Sequence, residues 1–165
     1  MAVRSAAKVL PVGLETTISK LEVGGKEVEE VFAPQAAVIQ LADDIDISRG
    51  DSIVKAEDQL QISNEMEVLL CWLDDKPLVA GNKYLLQHNS RLVRAVVKNI
   101  EYKLDVNTLM QQPVEGNIKL NEVVKASVRT ASPLVYDPYQ KLSANGSAIL
   151  VDETSNSTVA AVLIK

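Results

Sequence analysis

The chain has 165 residues, 17 basic against 22 acidic side chains, a formal charge of −5, and 47% apolar residues with only 4% aromatic. That length suits one domain or two small ones, and the acidic balance is the wrong sign for a protein that holds phosphate backbones by counterion release. A lone cysteine, Cys71, excludes an intramolecular disulfide, and no leader-like opening or apolar run near the ~20 residues needed to cross a bilayer occurs, so a soluble, cytoplasmic, reducing setting is expected.

With one Phe and one Trp, any core must be built from Val, Leu, Ile and Ala. Period-2 alternation dominates the chain. After one weak strand in residues 1–13, strand-like runs occur at 15–23, 27–32, 35–41, 66–73, 83–88, 91–106, 122–130, 147–152 and 158–164. In 122–130, Val124, Ala126 and Val128 fall on one face and Lys125, Ser127 and Arg129 on the other. Breaks fall at Gly24-Gly25, at "SRGD" ending at Asp51, at "DDKP" ending at Pro77, at "AGN" ending at Asn82 and at Asn145-Gly146. No stretch sustains a 3.6 period, so the fold is expected to be all-β, with two antiparallel β-barrels. The polar interval Lys55 to Glu65 reads as a connection. The expected division is a first unit at 1–57, a linker at 58–65 and a larger barrel at 66–165. The first unit is short for a closed barrel.

Few residues suggest chemistry. His88 is the only histidine, which excludes a multi-histidine metal site, and its place at the end of 83–88 suggests a rim position. Cys71 lies in the apolar run "VLLCWL" with no neighbouring cation, as a structural thiol does. "DDIDISRGD" imitates a calcium loop, but Arg49 stands where the sharp turn needs Gly and Lys55 where a bidentate Glu should close the site. No Gly-rich phosphate loop is present; "GGKE" at 24–27 lacks the earlier Gly and the Ser/Thr. The basic residues Arg91, Arg94 and Lys98 do not form one track, because period 2 puts Arg91 on the face opposite the other two. No catalytic, cofactor-binding or metal residue is assigned. His88, Arg91, Arg94 and Lys98 are the candidates for partner docking. Pro133 and Pro138 are expected to mark where the chain leaves the sheet, with Tyr136 and Tyr139 packing that corner and "NG" at 145–146 returning it.

Several strings resemble a known family. "FAPQA" (32–36), "DIDISRGD" (44–51), "LDVNTL" (104–109) and "YDPY" (136–139) are similar to the second and third domains of the translation-factor GTPase superfamily. They are closest to the large, GTP-hydrolysing subunit of bacterial sulfate adenylyltransferase (ATP sulfurylase). The resemblance implies an elongation-factor-like second-domain barrel, N-terminally incomplete, followed by a Greek-key third-domain barrel. It also implies a preceding GTPase domain, where GTP and magnesium would bind, and a separate small catalytic subunit that makes adenylyl sulfate and pyrophosphate from ATP and sulfate. None of that domain's motifs lies in these residues, so the chain itself is expected to hold no cofactor and to act as a docking module. The family's "VGAG" near the end is replaced here by Val159-Ala160-Ala161-Val162. The alternative implied by related barrels is the binding of RNA, as aminoacyl-tRNA, which the acidic balance disfavours.

Overall fold

A computed structural model describes residues 1–165 and contains twelve β-strands and no helix. They are β1 (Ala6–Leu10), β2 (Leu14–Val23), β3 (Lys26–Val28), β4 (Val38–Leu41), β5 (Ser52–Lys55), β6 (Gln61–Trp72), β7 (Lys83–His88), β8 (Arg91–Leu104), β9 (Gln111–Gln112), β10 (Val123–Tyr136), β11 (Ser147–Val151) and β12 (Thr158–Ile164). The chain divides into two compact units, Met1–Gln59 and Leu60–Lys165.

The first unit is an open antiparallel sheet. Its pairing path runs β3-β2-β1-β5, and β4 adds to β2. The long β2 serves two neighbourhoods: Glu15–Thr17 pair with β1, whereas Leu21–Val23 pair with β3 and Ile18–Glu22 with β4. Its inward residues Ile18 and Leu21 join Ala7 and Val31 in a small core, with Ile39, Leu41 and Ile53 packed on it. Gly50 takes φ +99° at the end of the acidic loop, where a side chain would be strained.

The second unit closes on itself. Strands β10-β6-β12-β11-β7-β8 pair in that order and β8 pairs back to β10, giving a closed six-stranded antiparallel barrel with β9 outside it on β8. Closure leaves no free edge in the ring, and alternate residues point inward. Met66, Val68, Leu70 and Trp72 of β6 meet Val124, Ala126 and Val128 of β10 in one core. Each large side chain sealed there contributes about 1.5–3 kcal/mol. Trp72 donates from Nε1 to the Lys76 carbonyl at 2.7 Å and meets Tyr84 edge to face at 5.8 Å, so its polar atom is satisfied inside the apolar core.

Three sequence expectations need correction. Residues 61–65 are not linker: β6 starts at Gln61, and Gln61 to Ser63 pair with Tyr136 to Leu134. They read as polar because much of this strand start faces solvent. Pro133 does not end a strand: β10 continues to Tyr136. The register shifts between Arg129 and Leu134, so residues 130–133 sit opposite Asn64 and the missing N–H of Pro133 falls in a bulge. Thr130 braces that bulge, donating from Oγ1 toward Ser132 O at 2.9 Å and Asn64 O at 3.3 Å. Finally, His88 is not a rim residue, since only 3% of it is exposed.

Candidate functional site

The burial of His88 comes from a distant segment. The turn 142–146 folds over the end of β7, and His88 Nε2 lies 2.9 Å from the carbonyl oxygen of Asn145. A carbonyl only accepts, so Nε2 carries the proton. The Asn145 side chain is fully engaged as well. Its Nδ2 donates to Asp137 Oδ2 at 3.0 Å, and its Oδ1 accepts from Asn89 Nδ2 at 2.9 Å. Asp137, itself buried, receives Lys141 Nζ on its other oxygen at 2.6 Å. These bonds hold its carboxyl below the ordinary range, the Lys141 bond most and the Asn145 bond next, against the opposing effect of burial. The group is a structural clasp: His88 Nε2, both side-chain atoms of Asn145 and both carboxylate oxygens of Asp137 are engaged with one another or with Asn89 and Lys141. Tyr136 is buried within the barrel core, whereas Tyr139 is partly exposed and its N–H donates to the Ile164 carbonyl.

The basic candidates on β8 separate as alternation requires. Arg91 shares the inward parity of Val93, Ala95 and Val97 and donates to Ser132 Oγ at 3.4 Å. Arg94 and Lys98 are on the outer face, paired with Glu153 at 2.7 Å and Glu65 at 3.0 Å. Further along the same surface, Lys125 sits between Glu101 at 2.9 Å and Glu67 at 3.0 Å, and these two acids raise its pKa, Glu101 first. The outer face of the barrel is therefore laced by cross-strand ion pairs, not a cation track open to phosphates.

No group of three or more His, Cys, Asp or Glu side chains comes together to hold a metal. In the "DDIDISRGD" loop, Asp51 Oδ2 accepts the Ser48 N–H at 2.9 Å, an arrangement internal to the turn. Two of the concavities on the barrel surface illustrate its lining. One, of about 210 Å³, is lined by Leu69, Pro138, Tyr139, Leu163 and Ile164; the other, of about 370 Å³, by Lys103, Gln112, Glu115 and Glu122 among others. Neither brings a nucleophile and a base together. The Asp137 clasp and the hydrogen-bonded turn 105–110 went unassigned in the sequence. Their signals are the spacing Asp137-x-x-x-Lys141 and the Asp105-x-x-Thr108 turn pattern.

Residues 65–165 match the family described as GTP-eEF1A C-terminal domain-like. The chain belongs to that family. Its curated relatives extend the likeness through the first unit. The bifunctional enzyme CysN/CysC of Mycobacterium tuberculosis (strain ATCC 25618 / H37Rv) is 41% identical over 157 residues, which is 94% of this chain and 26% of that protein. Sulfate adenylyltransferase subunit 1 of Teredinibacter turnerae is 37% identical over 154 residues, 93% of this chain and 33% of that one. The chain thus spans about a quarter to a third of the length of these relatives. Among solved structures, Sup35 complexed with GDP matches with a TM-score of 0.88 at 14% identity, over 99% of this chain and 40% of that one. Apo elongation factor SelB of Methanococcus maripaludis matches with a TM-score of 0.76 at 19% identity, over 100% and 36%. These two likenesses establish the elongation-factor-like β fold of this GTP-eEF1A C-terminal-domain-like chain.

Proposed function

We propose that this chain is the two-unit β region of a sulfate adenylyltransferase large subunit, and that it works as a docking module, not as a catalyst. The observation that carries this reading is identity of 37% sustained over 93% of the chain to a protein named sulfate adenylyltransferase subunit 1, beside 41% over 94% to a bifunctional enzyme named CysN/CysC. In this reading GTP and magnesium bind a GTPase domain outside these residues. The two β units pass its nucleotide state, by rigid-body docking, to the small catalytic subunit that joins ATP and sulfate. The committed side chains of the Asp137 clasp and the paired cations of β8 support a surface that binds protein and performs no chemistry. His88 and Arg91 act there as internal braces; Arg94 and Lys98 are the two outer candidates for contact with the partner.

The test is direct binding. Immobilised chain is expected to retain the purified small subunit, and to show no heat of binding with GTP and magnesium. A micromolar guanine-nucleotide site on this chain would overturn the reading. Salt-sensitive retention of tRNA on a filter would favour the elongation-factor-like RNA role instead.

A further inference from the structure

The β8–β9 turn is cross-braced by its own hydrogen bonds around a side chain that it holds out into solvent. Asp105 Oδ1 accepts the N–H groups of Asn107 and Thr108 at 2.9 and 3.0 Å, and Oδ2 accepts from Gln112 Nε2 at 3.2 Å. The Asp105 carbonyl accepts the Leu109 N–H at 2.8 Å, and the Asp105 N–H donates to Met110 O at 3.0 Å. Within this frame Leu109 has φ +57°, the left-handed region that bulky side chains avoid. The other non-glycine residues with positive φ are Arg4 and three asparagines, so Leu109 is the one apolar member. Asn or Gly would relieve the backbone there without loss of packing, because Leu109 is 72% exposed and touches little of its own barrel. Strain held at a surface position by surrounding hydrogen bonds marks recognition more often than folding.

Leu109 is not alone. Val106 is 60% and Met110 65% exposed in the same turn. The register places Val123 opposite both Cys71 and Leu104, so the ends of β6 and β8 and the start of β10 lie at one end of the barrel. Leu73 and Leu120, which flank those ends, are also exposed. Residues 106–112 carry no charge, and the charges at their base are engaged: Asp105 in its own turn, Lys103 with Glu122. The finger offers a partner no ion to pair with, which disfavours a phosphate backbone or a strongly charged protein face and matches an uncharged apolar pocket.

We propose that the turn 105–110 is a preorganised apolar finger that seats Leu109 in an uncharged apolar pocket of the companion subunit. This rests on the docking reading above, in which relatives named "subunit 1" act within an assembly. Because the turn is already fixed, little ordering is required on binding, and Leu109 acts as an anchor residue.

The affinity of the whole 165-residue chain for the purified small subunit tests it, using Leu109→Gly and Leu109→Asn, both compatible with positive φ. Each variant is expected to melt at or above the wild-type temperature while binding at least about tenfold more weakly. Val12→Ser, at an exposed apolar turn of the first unit, should bind as wild type does. Affinities of both Leu109 variants within about twofold of wild type, with wild type binding well, overturn the finger and leave the docking reading intact. Absence of wild-type binding overturns the docking reading and the finger's assigned partner together. Self-association that Leu109→Asn abolishes, with small-subunit binding unchanged, replaces the companion subunit by a second copy of the chain and so also overturns the proposal.

Discussion

Asn145 donates its side-chain amide to the carboxylate of Asp137 across 3.0 Å, closing the excursion 137–146 between β10 and β11. The same residue accepts the His88 proton on its carbonyl and the Asn89 amide on its side-chain oxygen, so one asparagine fastens the corner to the β7–β8 hairpin. Replacing it with Ala leaves a buried carboxylate oxygen without its donor. Asn145→Ala is expected to destabilise the second unit by about 2 kcal/mol, read from urea denaturation. Asn145→Asp sets a second carboxylate against Asp137 and should be worse than Ala at neutral pH. Equal stability of wild type and Asn145→Ala would show that the clasp contributes nothing.

Gly146 follows directly and is required for a different reason. Its φ is not in the left-handed region. What demands glycine is proximity: a Cβ there would stand 2.3 Å from Tyr139 Cα and 2.9 Å from the Asp137 carbonyl oxygen. Both are backbone atoms, and neither can swing aside. Gly146→Ala should therefore cost on the order of 3 kcal/mol or more, or prevent the barrel from closing, as seen in circular dichroism melts. A melting temperature unchanged by the extra methyl would mean that the corner is looser than the geometry says.

Much of the barrel was legible because a half-buried strand writes period 2 into the sequence. The ends of β7 and β12 coincide with their apolar runs, and β10 shows its two faces residue by residue. What escaped has physical causes. Strands β5 and β9 have four and two residues, too few for a period to show. The start of β6 is polar because that end faces solvent, and Pro133 sits in a bulge that a proline rule reads as a strand end. The candidate docking residues could be named from the sequence, but what surrounds them could not be read there. His88 is sealed by Asn145, 57 residues away, and the neutralising acids of the basic strand lie elsewhere in the chain, Glu65 on β6 and Glu153 in the turn between β11 and β12. Contacts of that range leave no local pattern.

Trp72 is the single tryptophan and is 1% exposed, so its fluorescence reports the second unit alone. Emission is expected to be blue-shifted in the native protein and to move red in one cooperative step as that barrel opens. Trp72→Phe keeps the apolar body but drops the 2.7 Å bond to Lys76 O, leaving that carbonyl unpartnered; a loss of about 1–3 kcal/mol follows. Trp72→Ala should cost about 3–5 kcal/mol by emptying the centre of the core. Should Phe and Ala prove equally mild, the ring's edge-to-face contact with Tyr84 and its burial would not be holding the barrel.

Asp137 makes the second unit sensitive to acid. Its pKa is held below the ordinary 3.8, first by the Lys141 hydrogen bond and then by the Asn145 one, while burial pulls the other way. A folded pKa below the unfolded one means that the unfolded chain binds the proton more readily. The stabilisation is therefore complete above the ordinary carboxylate value and drains away as pH falls through the lower folded value. Asp137→Asn removes this titration. It should lower stability at pH 7, where the Lys141 ammonium loses its counter-charge, yet flatten the decline below pH ~4. Lys141→Met is the matched control, since it removes the strongest cause of the shift and should move the acid transition of the Asp137-containing chain to higher pH. Denaturant midpoints taken across pH 2 to 7 decide the matter: wild-type and Asp137→Asn curves that run parallel through the acid limb would remove Asp137 from the account of acid unfolding, whatever its hydrogen bonds.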